Sequence, residues 1–153
     1  MLTFGAVGDT GYDIMLFLHI LTMFAAFAPA FIIPFIDNGT RSPADASVRQ
    51  RFFQIYAPNA RRIHGGTLIL GGLLGFGVAG MSDEVFKLSE PWLAISVVLW
   101  VAMNGVLHAV IAPTERAIAE GDETNASRLE QGGAIMTVLF LATLYLMVFQ
   151  PGQ

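Results

Sequence analysis

Residues 12–28 read YDIMLFLHILTMFAAFA. From Ile14 to Ile36 no charged side chain interrupts the chain, yet His19 stands inside the run. A bilayer span needs about 17–25 predominantly apolar residues, so 14–36 is long enough to cross hydrocarbon. An imidazole within such a segment is costly to bury and points to a function.

The rest of the chain repeats the pattern. No Asp, Glu, Lys or Arg falls in 65–80, 92–112 or 132–150 either. Only 13% of the 153 residues are charged, against about 25% in soluble domains, and the mean hydropathy is +0.61. A water-soluble protein this small could not bury four such stretches, because small domains leave much of their surface wet. The expected fold is therefore all-α, a transmembrane up-down four-helix bundle forming one domain over 1–153. Its spans fall at about 12–36, 60–80, 91–112 and 132–150, joined by connections short enough to make neighbours antiparallel. The N-terminus lacks a basic region, and its first apolar run is too long for a signal peptide, so no cleavable signal is expected.

Charge sets the expected orientation. Segment 37–62 carries Arg41, Arg49, Arg51, Arg61 and Arg62, and segment 113–131 carries Arg116 and Arg128. The 81–91 loop has only Lys87. Lys and Arg mark the cytoplasmic side, which puts both termini on the non-cytoplasmic side.

Local signals refine the layout. Pro29 predicts a kink in the first helix, and Pro34 with Asn38-Gly39 closes it. Ser42-Pro43 reads as an N-cap followed by proline at the first helical position. Val48, Phe52, Ile55 and Tyr56 then share a face over 43–56. That segment is either a cytoplasmic interfacial helix or the amphipathic shoulder of the second span, with Ala57-Pro58 as a break. The second span holds seven glycines. Gly71 and Gly75 form a GxxxG pair suited to close helix packing, and the same smooth surface could instead admit a flat ligand. This helix is expected to be the central one. Trp92 reads as an outer interface anchor, and Gly121 as a helix terminator.

The side chains able to carry chemistry are few. There are no cysteines, which excludes disulfides, thiolate metal sites and thiol catalysis. All three histidines, His19, His64 and His108, lie in or beside a span. At ~1.5 Å per residue, His64 and His108 come to similar depth near the inner face. His19 lies nearer the outer face, offset by roughly 10–15 Å. A three-histidine metal centre, whose ligands must meet at one point, does not fit, and no carboxylate stands at the right depth. Haem b needs only one or two axial histidines. His64 with His108 is the best pair by depth, His19 a candidate single ligand, and Arg61 and Arg62 suit propionates. Alternatively each histidine simply hydrogen-bonds a group on a neighbouring helix, and Asn104 does the same across helices. No proton relay, nucleotide loop or hydrolase nucleophile stands out, and no nucleic-acid partner is expected.

Several short motifs recur together: Leu18-His19-Ile20, a basic first loop, Pro91-Trp92-Leu93, a proline after the third span, and Met147-Val148-Phe149-Gln150-Pro151. In this the chain resembles small four-helix bacterial integral membrane proteins, distantly similar to HemJ-type protoporphyrinogen oxidases and CopD-type copper-resistance proteins. The resemblance implies a multi-pass protein of a prokaryotic plasma membrane, association with haem b, and His19 as the matching family histidine. A lysine the resemblance implies in the third span is missing from WLAISVVLW. Two functions follow as expectations. One is a non-catalytic subunit or scaffold of a larger membrane assembly, packed against other membrane subunits or further copies of itself. The alternative is a haem b-binding membrane redox protein.

Overall fold

A computed structural model describes residues 6–152. Among them the regular structure is entirely helical, in four long runs: α1 (Thr10–Gly39), α2 (Pro43–Gly80), α3 (Pro91–Ala119) and α4 (Ser127–Phe149). All four are long and apolar enough to cross a membrane, with mean hydropathies of 2.2, 1.5, 2.0 and 2.1 in their most apolar windows. Only 17–22% of the residues in those windows are buried. The outer surface is a continuous apolar coat that includes Phe17, Phe24, Phe35, Val98, Val138 and Val148. Patches that large are foreign to a soluble monomer and natural against lipid tails.

Neighbouring helices run antiparallel. As the number rises along α2 it falls along α1: Gly71 sits against Thr22 and Met23, Gly75 against His19, and Gly77 against Met15. The same holds for α2 and α3, where Gly65 meets Leu107 and His108 and Gly72 meets Trp100. It holds again for α1 and α4, with Phe27 on Phe140 at 4.0 Å between ring centres and Arg41 paired to Glu130.

As expected, α2 is the most closely contacted helix, but its contacts are uneven along its length. With the end that bears the arginine segments labelled inner and the opposite end outer, α1 packs closely on α2 and α3 on α4 along their outer halves, while the outer parts of α2 and α3 barely touch. Their inner parts pack closely instead. The bundle is thus two pairs, closed at the inner end and splayed at the outer one. The buried core of Phe27, Phe53, Leu68, Met103, Leu107, Ile118 and Met136 runs up the middle.

The helices also pass through prolines, two of which, Pro34 and Pro58, the sequence suggested would close or break them. Pro34 lies inside α1, Pro58 inside α2 and Pro113 inside α3. A proline removes one backbone bond, and within a packed transmembrane helix local π adjustment accommodates that loss. Two π-helical turns occur here: Arg61–Gly65, shortly after Pro58, and Leu107–Ile111, just before Pro113. They lie against each other, and each carries one histidine.

Segment 43–56 is continuous with the second span. Ser42 Oγ accepts the Ala44 N–H at 3.2 Å, as the capping motif requires, and the helix then runs into the second span. Its buried face is Arg49, Phe53 and Ala60, whereas Val48 and Ile55 are exposed. The apolar stripe read from sequence is therefore rotated, because this face packs on the inner end of α3. Trp92, at the start of α3, is buried within the fold. It is 3% exposed, donates its indole N–H to Glu90 at 2.5 Å and meets Phe86 edge-on. Gly121, at φ +89°, adopts the left-handed conformation beyond the end of α3.

Candidate functional site

His19 sits on the face of α1 that meets α2. Its Nδ1 lies 2.7 Å from the Gly71 carbonyl oxygen. A carbonyl only accepts, so Nδ1 carries the proton and Nε2 keeps its lone pair. Two glycines make this seat. A Cβ at Gly75 would come within 3.0 Å of the His19 Cε1, and one at Gly71 would collide with the Met23 thioether. The GxxxG pair thus lets α1 approach closely enough for an imidazole to reach a backbone carbonyl.

The splayed outer half encloses a cavity of about 840 Å³. His19, Met23 and Phe27 of α1, Gly72, Gly75 and Phe76 of α2, Ser96, Trp100 and Met103 of α3, and Phe140 and Thr143 of α4 line it. Exposed Phe24, Ile32, Leu141 and Leu144 form its rim, so it opens toward the lipid-facing surface. The volume falls within the roughly 300–1,000 Å³ of small-molecule and cofactor sites. Trp100 forms one wall. Its indole N–H donates to the Leu68 carbonyl at 2.8 Å, its ring meets Phe76 edge-on, and only a glycine at 72 leaves room for it. Ser96 and Thr143 spend their hydroxyl protons on carbonyls of their own helices.

A histidine that donates Nδ1–H to a carbonyl has its tautomer and ring orientation fixed for ligation through Nε2. With an apolar cavity beside it, His19 is the residue here that could hold the metal of a bound cofactor through Nε2. The other residues singled out from sequence lie elsewhere. Arg61 and Arg62 are exposed and line neither this cavity nor the inner one described next. They stand ~15 Å along α2 from Gly72. His64 and His108 do share a depth, on the two apposed π turns, with the His108 ring against Gly65. Yet His64 is 3% exposed and lines the inner cavity, while His108 is exposed and lines neither. Asn104 makes no bond across helices. Its amide donates to the Trp100 carbonyl one turn earlier on the same helix.

The inner end holds what the sequence reading missed. Asp37, buried near the end of α1, takes two guanidiniums at once. Its Oδ1 accepts from Arg49 at 2.5 and 3.0 Å, and its Oδ2 from Arg41 at 2.7 and 3.1 Å. Arg49 also pairs with Glu123, and Arg41 with Glu130 at 3.0 Å. The hydrogen bonds to Asp37 first, then to Glu130, raise the Arg41 guanidinium above its ordinary value. Beside this network lies a second cavity of about 260 Å³, into which Glu115, His64 and Tyr56 project. The sequence suggested no buried acid here, and the structure corrects that: Glu115 is 2% exposed.

No protein-family model, curated protein or solved structure matches this chain. What the fold and site define is a class, a multi-pass membrane protein with a histidine-bearing cleft between two helix pairs.

Proposed function

We propose that the protein binds a flat, apolar cofactor of the haem b type in its outer cleft, with His19 as axial ligand. One observation carries this reading. His19 Nδ1 is tied to the Gly71 carbonyl at 2.7 Å, which leaves Nε2 without a hydrogen-bond partner among the described residues beside an 840 Å³ apolar cavity. The resemblance to HemJ-type and CopD-type proteins supports it. Haem b, when bound, supplies one-electron redox chemistry. The chain's own part is to orient the imidazole, wall the ligand with Trp100, Phe76 and Phe140, and keep water from its faces. Protoporphyrinogen oxidation is not proposed, because the lysine that the resemblance implies is absent from α3.

The test is an absorption spectrum of the detergent-purified chain, as isolated and after titration with hemin. A Soret band at one haem per chain, lost in His19→Ala and kept in His64→Ala and His108→Ala, supports the reading. A wild-type chain that retains no haem once excess hemin is removed, with a spectrum no different from hemin in empty micelles, overturns it.

A second reading keeps the protein as a non-catalytic subunit or scaffold. Exposed Phe17, Phe24, Phe31 and Phe35 form one stripe along α1, suited to a neighbouring transmembrane helix. Stoichiometric co-purification with larger membrane subunits, lost on replacing Phe24 and Phe35 by Ala, would favour it.

The proposed setting is a prokaryotic plasma membrane, with both termini outside and the arginine-bearing segments in the cytoplasm. Seven of the eight Lys and Arg residues lie in 37–62 and 113–131, as the positive-inside rule requires. The chain has no cysteine, so single cysteines report sidedness cleanly. Asn38→Cys should resist an impermeant maleimide in intact cells and Gly152→Cys should react, and the reverse pattern overturns the orientation.

A further inference from the structure

The inner cavity of about 260 Å³ between α1, α2, α3 and α4 is built of groups with unequal hydrogen-bonding demands. His64 is 3% exposed, lines the cavity, and has no partner at either ring nitrogen among the described residues. The Tyr56 hydroxyl is enclosed and also unpartnered. Glu115, 2% exposed, lines the same cavity and makes no hydrogen bond or ion pair among the described residues. Buried polar groups are nearly always satisfied, so several orphans around one space call for an occupant.

The balance of charge says which kind. Arg41 is the one arginine that lines the cavity, and both Asp37 and Glu130 hold it. Arg49, behind Asp37, is held by Asp37 and Glu123. No guanidinium is left to meet the Glu115 carboxylate. Acceptors also outnumber donors. Glu115 offers two oxygens, the Tyr56 oxygen has free lone pairs, one His64 nitrogen accepts in the neutral ring, and Thr137 gives its proton to the Gly133 carbonyl, keeping its oxygen free. Behind the Asn38 and Arg41 rim, only the Tyr56 O–H and one His64 N–H stand against these.

We propose that this cavity binds a small organic cation bearing N–H donors, of the primary ammonium or guanidinium class. Glu115 is its counter-ion, and Tyr56 and His64 are hydrogen-bonding walls. Exposed Asn38, Arg41 and Glu130 rim the entrance, which opens at the inner end of the bundle, opposite the His19 cleft. The site is independent of the haem reading, since none of its lining residues lines that cleft.

The experiment is calorimetric titration of the full chain in detergent, at fixed ionic strength, with methylammonium, guanidinium, tetramethylammonium and acetate. Methylammonium and guanidinium should bind saturably at one per chain. Tetramethylammonium, which lacks N–H groups, and acetate should not. Glu115→Gln, which keeps the shape, should weaken binding roughly tenfold or more, as expected for a lost charge-assisted bond, and His19→Ala should leave it unchanged. Failure of either N–H cation to saturate, equal binding of tetramethylammonium, or full affinity in a Glu115→Gln chain of wild-type helix content would each overturn the proposal. If Glu115→Gln does not fold, Tyr56→Phe decides. Its ring stacks on Phe52 and stays in place, so weaker binding supports the site and undiminished binding overturns it.

Discussion

The two ends of this bundle meet the problem of polar atoms in opposite ways. At the inner end Asp37, Arg41, Arg49, Glu123 and Glu130 form a connected ionic network that ties α1, α2, α4 and the loop after α3 together. At the outer end one imidazole meets one carbonyl, and the space beside them is apolar. The inner end therefore holds the helices in register, and the outer end is splayed. The ionic ties that fix the bundle are concentrated at one end of it.

The largest effect should come from Asp37→Ala. It leaves two guanidiniums, one of them buried, without their shared carboxylate. Breaking such a buried pair costs about 3–5 kcal/mol, to be read from the unfolding midpoint in mixed micelles. His19→Ala should cost far less, because it removes one hydrogen bond worth about 0.5–1.5 kcal/mol. If the two variants proved equally destabilising, the division between the ends would fail.

Gly72→Ala should come next, at about 1–3 kcal/mol, the usual cost of overpacking. Its methyl group would overlap the Trp100 indole and strain the bond to the Leu68 carbonyl. Tryptophan fluorescence should shift in this variant, whereas an unshifted spectrum with unchanged stability would remove Trp100 as a fixed wall. The smallest effect is expected at Glu130→Gln. Its carboxylate is 62% exposed, and exposed pairs contribute about 0–1 kcal/mol. A loss as large as that of Asp37→Ala would mean that the network extends to its rim with full strength.

The four-helix fold could be read because the charges are segregated, and no amount of local detail disturbs four uncharged windows. The same windows hid the inner site. Asp37 and Glu115 fall just outside the uncharged windows 14–36 and 92–112, so nothing in the windows marks them as buried. They belong to helices that run on through Pro34 and Pro113. The shared depth of His64 and His108 followed from counting residues, but their facing directions did not, because the π turns rotate the chain in a way no periodicity shows. His19 and Gly71 were each singled out. That they bond to one another depends on the register of two helices across 52 residues, which only packing decides.

The central claim, that His19 is an axial ligand held ready by the Gly71 carbonyl, is tested most directly by chemical rescue. His19→Gly, titrated with hemin, should show no ligated Soret band, and free imidazole should restore it at one haem per chain. A glycine variant that binds haem with the wild-type spectrum in the absence of imidazole would contradict the account.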